Sequence, residues 1–170
     1  FKKIGKYYDM DILNAHDDYG SNNRMFMSPD LWRSLIKPEL ARMVEACHDA
    51  GMLYQHHSCG FIEPIVPDLV EIGCDAIDTF QACNKNTAEL KKKYGDKITF
   101  CGGFNNMNVL DVPGVSSEAV KKEYHRVIDS LAPGGSYVIY PIGGTFEFVE
   151  PFLEEHFSYG MKFYGNLQNR

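Results

Sequence analysis

The sequence predicts an α/β fold with a parallel sheet, organised as part of a (β/α)8 barrel of TIM type, and three observations carry that reading. Runs of β character fall at 11–15, 52–56, 76–80, 98–101 and 137–140. Each is followed by a stretch with helical periodicity, the βα repeat that demands parallel strands joined by crossovers. Polar or reactive residues sit at the carboxyl end of every run: His16-Asp17-Asp18-Tyr19, His57-Ser58-Cys59, Gln81-Ala82-Cys83, Cys101-Gly102-Gly103 and Pro141-Ile142-Gly143-Gly144. The alternative, an open doubly wound sheet, concentrates its chemistry at one switch point, whereas a barrel collects residues from many strands, so the even spread favours the barrel.

The helices follow from their local signals. Ser28-Pro29-Asp30 is a cap followed by proline at the first helical position. The helix it opens carries Leu31, Leu35, Ile36, Leu40, Met43, Val44 and Cys47 at helical spacing, with Pro38 expected to kink or break it. A second helix is predicted over 61–72, closed by Gly73, and a third over 87–94, closed by Gly95. A fourth opens at Ser116 or Ser117, buries Val120, Tyr124, Val127, Ile128 and Leu131, and stops before Pro133-Gly134-Gly135. A last helix is expected over 147–159. Lys91-Lys92-Lys93 reads as the wet face of the third helix, and Met25, Phe26 and Met27 as a loop that either lids the site or packs beneath it.

Composition narrows the partners. The 170 residues are 44% hydrophobic and 24% charged, enough for a single domain with its own core. A net charge of -6 with dispersed Lys and Arg disfavours nucleic acid and anionic membrane surfaces and points to a small-molecule substrate or a protein partner. The absence of a membrane span or signal peptide, and five cysteines without disulfide-scaffold spacing, give a cytoplasmic expectation. The chain starts at Phe1 rather than Met, so 1–170 is read as one domain that forms part of a longer barrel.

The chemistry concentrates at His57-Ser58-Cys59. In an extended segment, side chains at i and i+2 share a side, so imidazole and thiol converge. Zinc accepts both donors and ionises the thiol, but two ligands do not complete a site. Asp17-Asp18 is either a turn or cap, or a carboxylate pair for a metal, a cationic group or a proton. His16 reads as structural, as do Cys47 and Cys74. The glycine pairs open no recognisable phosphate-binding pattern.

Taken together, Asp17-Asp18-Tyr19-Gly20-Ser21, Ser28-Pro29-Asp30-Leu31-Trp32-Arg33, Lys37-Pro38, His57-Ser58-Cys59-Gly60, Ile62-Glu63-Pro64, Gly73-Cys74-Asp75, Phe80-Gln81 and Cys101-Gly102-Gly103 resemble the C-terminal half of the uroporphyrinogen decarboxylase-like superfamily. The resemblance implies the C-terminal five βα units of a (β/α)8 barrel, and it is closest in motif to the corrinoid-dependent methyltransferases. It implies zinc on His57 and Cys59, but the chain departs from the pattern of the zinc enzymes: the further cysteine they bring from near the last strand has no counterpart in 133–145 and Gln81 is an amide, which leaves Cys83 or Cys101 open as the third ligand. On this reading Asp17 and Asp18 are the catalytic candidates, Gln81 and Tyr19 bind substrate, and the methyl group passes between a corrinoid protein and a thiol or other acceptor.

Two alternatives stand beside it. One is a metal-free decarboxylase in which Asp17 or Asp18 stabilises a protonated intermediate. Its polycarboxylate substrate would call for arginines, and those present (Arg24, Arg33, Arg42, Arg126, Arg170) fall mostly on predicted helices. The other is an inactive fragment, or a subunit completed by a second copy or by the missing barrel half, because five βα units do not close an eight-stranded barrel.

Overall fold

The computed structural model describes residues 2–164, so Arg170 lies outside the described residues. Among them, five parallel strands lie side by side in chain order: β1 Ile12–His16, β2 Leu53–His57, β3 Ala76–Asp78, β4 Thr99–Cys101 and β5 Tyr137–Val138. A doubly wound sheet reverses its strand order once, at the switch point. Here each strand adds to the same side as the one before, which is the order of a barrel wall and rules out the switch point.

Register and pleat divide the side chains between two faces. Asn14 pairs with Gln55, Gln55 with Ala76 and Ala76 with Thr99, while His16 pairs with His57 and His57 with Asp78. These residues share one face with Ile12, Leu53 and Val138, which are 49%, 51% and 50% exposed. Tyr54, His56, Ile77 and Phe100 point the other way and are buried in the core. The sheet is therefore open, with helices covering one face, and has the layered pattern of part of a (β/α)8 barrel.

The helices are α1 Lys2–Tyr7, α2 Pro29–Leu35, α3 Lys37–His48, α4 Val66–Glu71, α5 Thr87–Tyr94, α6 Ser117–Leu131, α7 Val149–Glu155 and α8 Met161–Tyr164. Ser28 caps α2, its Oγ accepting from the Leu31 amide at 3.2 Å. Pro38 falls in the first turn of α3, and the break comes at Ile36. That break resets the helical phase, so the single apolar stripe expected over 31–47 does not hold: Leu31, Leu35 and Met43 are exposed, and Trp32 takes the core position.

Pro64 and Pro67, each lacking an N–H, split the helix expected over 61–72 into a 3-10 turn, Glu63–Ile65, followed by α4. The fourth helix is α6, capped by Ser116, with all five of its predicted core residues buried. The last is shorter than expected, passing from α7 into a π-helical turn, His156–Gly160, before α8. Lys91 is a correction: it is buried, and its Nζ donates to the Ser136 carbonyl at 3.1 Å and to that of Gly135, tying α5 to the loop before β5. Met25 is buried in the core while Phe26 is exposed. No helix among the described residues is long and apolar enough to cross a membrane.

Candidate metal centre

Two loops, one after β1 and one after β2, build the site. The Tyr19 amide donates to Ser58 Oγ at 3.0 Å, the Phe61 amide to the Ser21 carbonyl at 2.8 Å, and the Cys59 amide to Asp18 Oδ1 at 2.8 Å. The loops touch backbone to backbone at Gly20 and Gly60. Gly60 has a φ of +79°, and a Cβ on it would run into the Gly20 carbonyl, so glycine is required there. This contact holds Asp18 beside Cys59.

His57 ends β2 on the open face. Its Nε2 lies 3.6 Å from Cys59 Sγ and 3.8 Å from Asp18 Oδ1. One ligand atom each from Asp18, His57 and Cys59 falls within 4.8 Å of the others. Donors around a tetrahedral zinc, bonded at about 2.0–2.3 Å, stand roughly 3.3–3.8 Å apart. The two separations from the imidazole nitrogen, 3.6 Å to the sulfur and 3.8 Å to the oxygen, fall at or near that spacing, and a set of three protein donors is the number that catalytic zinc sites use.

Behind the imidazole, His57 Nδ1 is 2.7 Å from Asp78 Oδ1, and Asp78 is 1% exposed. The His16 ring stacks on that of His57 at 4.1 Å. The series Asp78, His57, Cys59 also has the layout of a carboxylate–imidazole–thiol relay. Burial, and after it the Asp18 carboxylate, push the Cys59 thiol up from its ordinary value, the reverse of what a metal-free nucleophile needs. A cation between the three donors would reverse that effect.

The other sequence candidates are distributed around this centre. The two aspartates diverge: Asp18 faces the site, whereas Asp17 accepts from the Tyr19 hydroxyl at 2.8 Å. Tyr19, expected at the substrate, is instead turned into the core, its ring packed against Trp32 and His56. Gln81 accepts from the Gly60 amide at 2.7 Å and lines a cleft of about 360 Å³. Cys83 lines the same cleft, with Asn22, Asn105, Asn106 and Met107.

Cys83 and Cys101, the two expected third ligands, fall outside the group formed by Asp18, His57 and Cys59. The Cys101 thiol is pushed up to about 12, mainly by burial. Cys47 and Cys74 are buried, as expected of structural thiols. Asp78 was not foreseen. The run 76–80 reads as a strand ending at Phe80, but the ladder ends at Asp78, which makes this carboxylate the strand-end residue. The signal was a charged residue inside an otherwise apolar run.

A solved methyltransferase from Methanosarcina mazei superposes with a TM-score of 0.69 at 18% sequence identity, over 88% of this chain and 42% of its own. The chain thus spans less than half the length of that protein. No curated protein matches the sequence. The family model for uroporphyrinogen decarboxylase (URO-D) matches residues 11–146, which include all five strands and the three clustered donors. The chain therefore belongs to the uroporphyrinogen decarboxylase family.

Proposed function

We propose that the chain carries the metal centre of a methyltransferase of the uroporphyrinogen decarboxylase-like superfamily, moving a methyl group between a corrinoid protein and a thiol or other acceptor. The observation that carries the reading is the convergence of Asp18, His57 and Cys59, with one ligand atom from each within 4.8 Å of the others. Zinc bound there would act as a Lewis acid that keeps an acceptor thiol ionised. His57 would supply Nε2, Cys59 its sulfur and Asp18 one carboxylate oxygen. The adjoining cleft, walled by the amides of Asn22, Gln81, Asn105 and Asn106, offers donors and acceptors without net charge, which suits a neutral polar ligand.

That cleft weighs against the decarboxylase alternative, in which a polycarboxylate needs cationic partners. Arg33 is engaged with Asp30 and Asp68, and Arg126 with Glu123 and the Gly103 carbonyl. The test is metal analysis of chain purified under reducing conditions. About one zinc per chain is expected, falling to background in His57→Ala and Cys59→Ala. Zinc clearly below one atom per chain in the unaltered protein would count against methyl transfer.

A further inference from the structure

Asp78 receives three hydrogen bonds on one buried carboxylate. Asn14 Nδ2 and Gln55 Nε2 donate to Oδ2 at 2.7 and 2.6 Å, and His57 Nδ1 meets Oδ1 at 2.7 Å. The three partners come from β1 and β2, and register brings His57 opposite Asp78, so the network is fixed by strand pairing rather than by loops. A carboxylate accepts and does not donate, which requires the proton of a neutral His57 ring to sit on Nδ1 and leaves the Nε2 lone pair facing Cys59 and Asp18. The stacked His16 ring limits rotation of the imidazole.

We infer that Asp78 is a positioning residue, setting the His57 tautomer so that the ring is ready to bind a divalent cation through Nε2 before any cation arrives. The inference rests on the metal-centre reading only for the choice of cation, because ring orientation is a property of the chain itself. The negative charge of Asp78 meets neutral amides rather than a lysine or arginine, so it acts on the imidazole and strengthens the ring as a ligand. An isolated neutral histidine side chain favours the other tautomer, with the proton on Nε2, which would turn a donor toward the cation. Preventing that arrangement is the advantage of burying an acid here, since a buried carboxylate is costly unless its oxygens are satisfied.

Long-range ¹H–¹⁵N NMR of the His57 side chain, in the metal-free chain at mildly alkaline pH, reads the tautomer directly. The unaltered protein is expected to show a protonated Nδ1 and a bare Nε2. In Asp78→Ala the Nε2–H form should dominate and zinc should bind roughly 10–100-fold more weakly. Asp78→Asn, which keeps the volume and one acceptor oxygen, should fall between the two, so the comparison survives if the alanine variant does not fold. An unaltered chain with Nε2–H on His57, or an Asp78→Ala chain with unchanged tautomer and zinc affinity, would overturn the inference. A chain that holds the Nδ1–H tautomer yet binds no zinc would support the inference and contradict the proposed function.

Discussion

His56 and His57 are adjacent in β2, and the pleat gives them opposite chemistry. His57 faces the open side, opposite Asp78. His56 faces the core, 0% exposed, between the rings of Tyr19 and Tyr54, and neither ring nitrogen has a hydrogen-bond partner. Burial pushes its pKa down to about 4, partly offset by Asp17, Asp78 and Asp18. A base whose folded value lies below its unfolded one binds its proton mainly on unfolding. Its contribution is therefore present above about pH 6.5 and is lost as pH falls toward 4, amounting to about 2 kcal/mol between pH 7 and pH 5.

His56→Phe should remove that acid sensitivity while keeping the ring stack. Urea unfolding at pH 7 and pH 5 should show a smaller loss for the variant than for the unaltered chain, and parallel losses would disprove the assignment. At this scale the approach of His57 to Cys59 was legible from their i, i+2 spacing, although β2 ends at His57 and Cys59 is held by its loop through the Asp18 carboxylate. Asp18 could be read only as one of a pair, since sequence does not say which of two adjacent carboxylates a turn directs inward. Asp78 was hidden by a strand that ends two residues earlier than its apolar run.

Elements carry the site through their joints. The loops after β1 and β2 meet at Gly20 and Gly60, and Asp18 and Cys59 ride on them. Gly60→Ala should cost more than the roughly 1–3 kcal/mol of strained backbone at positive φ, because its Cβ also meets the Gly20 carbonyl. Gly51→Ala is the matched control: φ is +79° there too, but nothing lies within 4 Å of the added carbon, so only the strain should appear. Chemical denaturation of both variants checks the difference, and equal losses would mean that the loops yield without cost.

Element order and most boundaries were legible because caps, prolines and glycines act locally. Ser116 caps α6 and its buried stripe matched residue by residue. The exposed faces of α2 and α3 were misread because helical phase does not carry across the break at Ile36. The π-helical turns at Asn106–Leu110 and His156–Gly160 had no local signal to announce them.

On the scale of the whole molecule, the sheet is covered on one side only. Ile12, Leu53 and Val138 stand half exposed on the open face, and β1 and β5 are its edges. Apolar parallel strands without cover tend to pair, so the 19.3 kDa chain alone should self-associate in light scattering, and a mass of one chain would contradict this. The architecture was legible because βα alternation and the spread of polar strand ends are global patterns.

In the proposed function, strand ends and loops gather Asp18, His57 and Cys59 so that one cation can bind between them. X-ray absorption at the zinc edge of the loaded chain tests it most directly. The expected shell holds one sulfur at about 2.3 Å with imidazole nitrogen and oxygen at about 2.0–2.2 Å, and the sulfur disappears in Cys59→Ala. A shell without sulfur, or a sulfur that survives that substitution, would contradict the account.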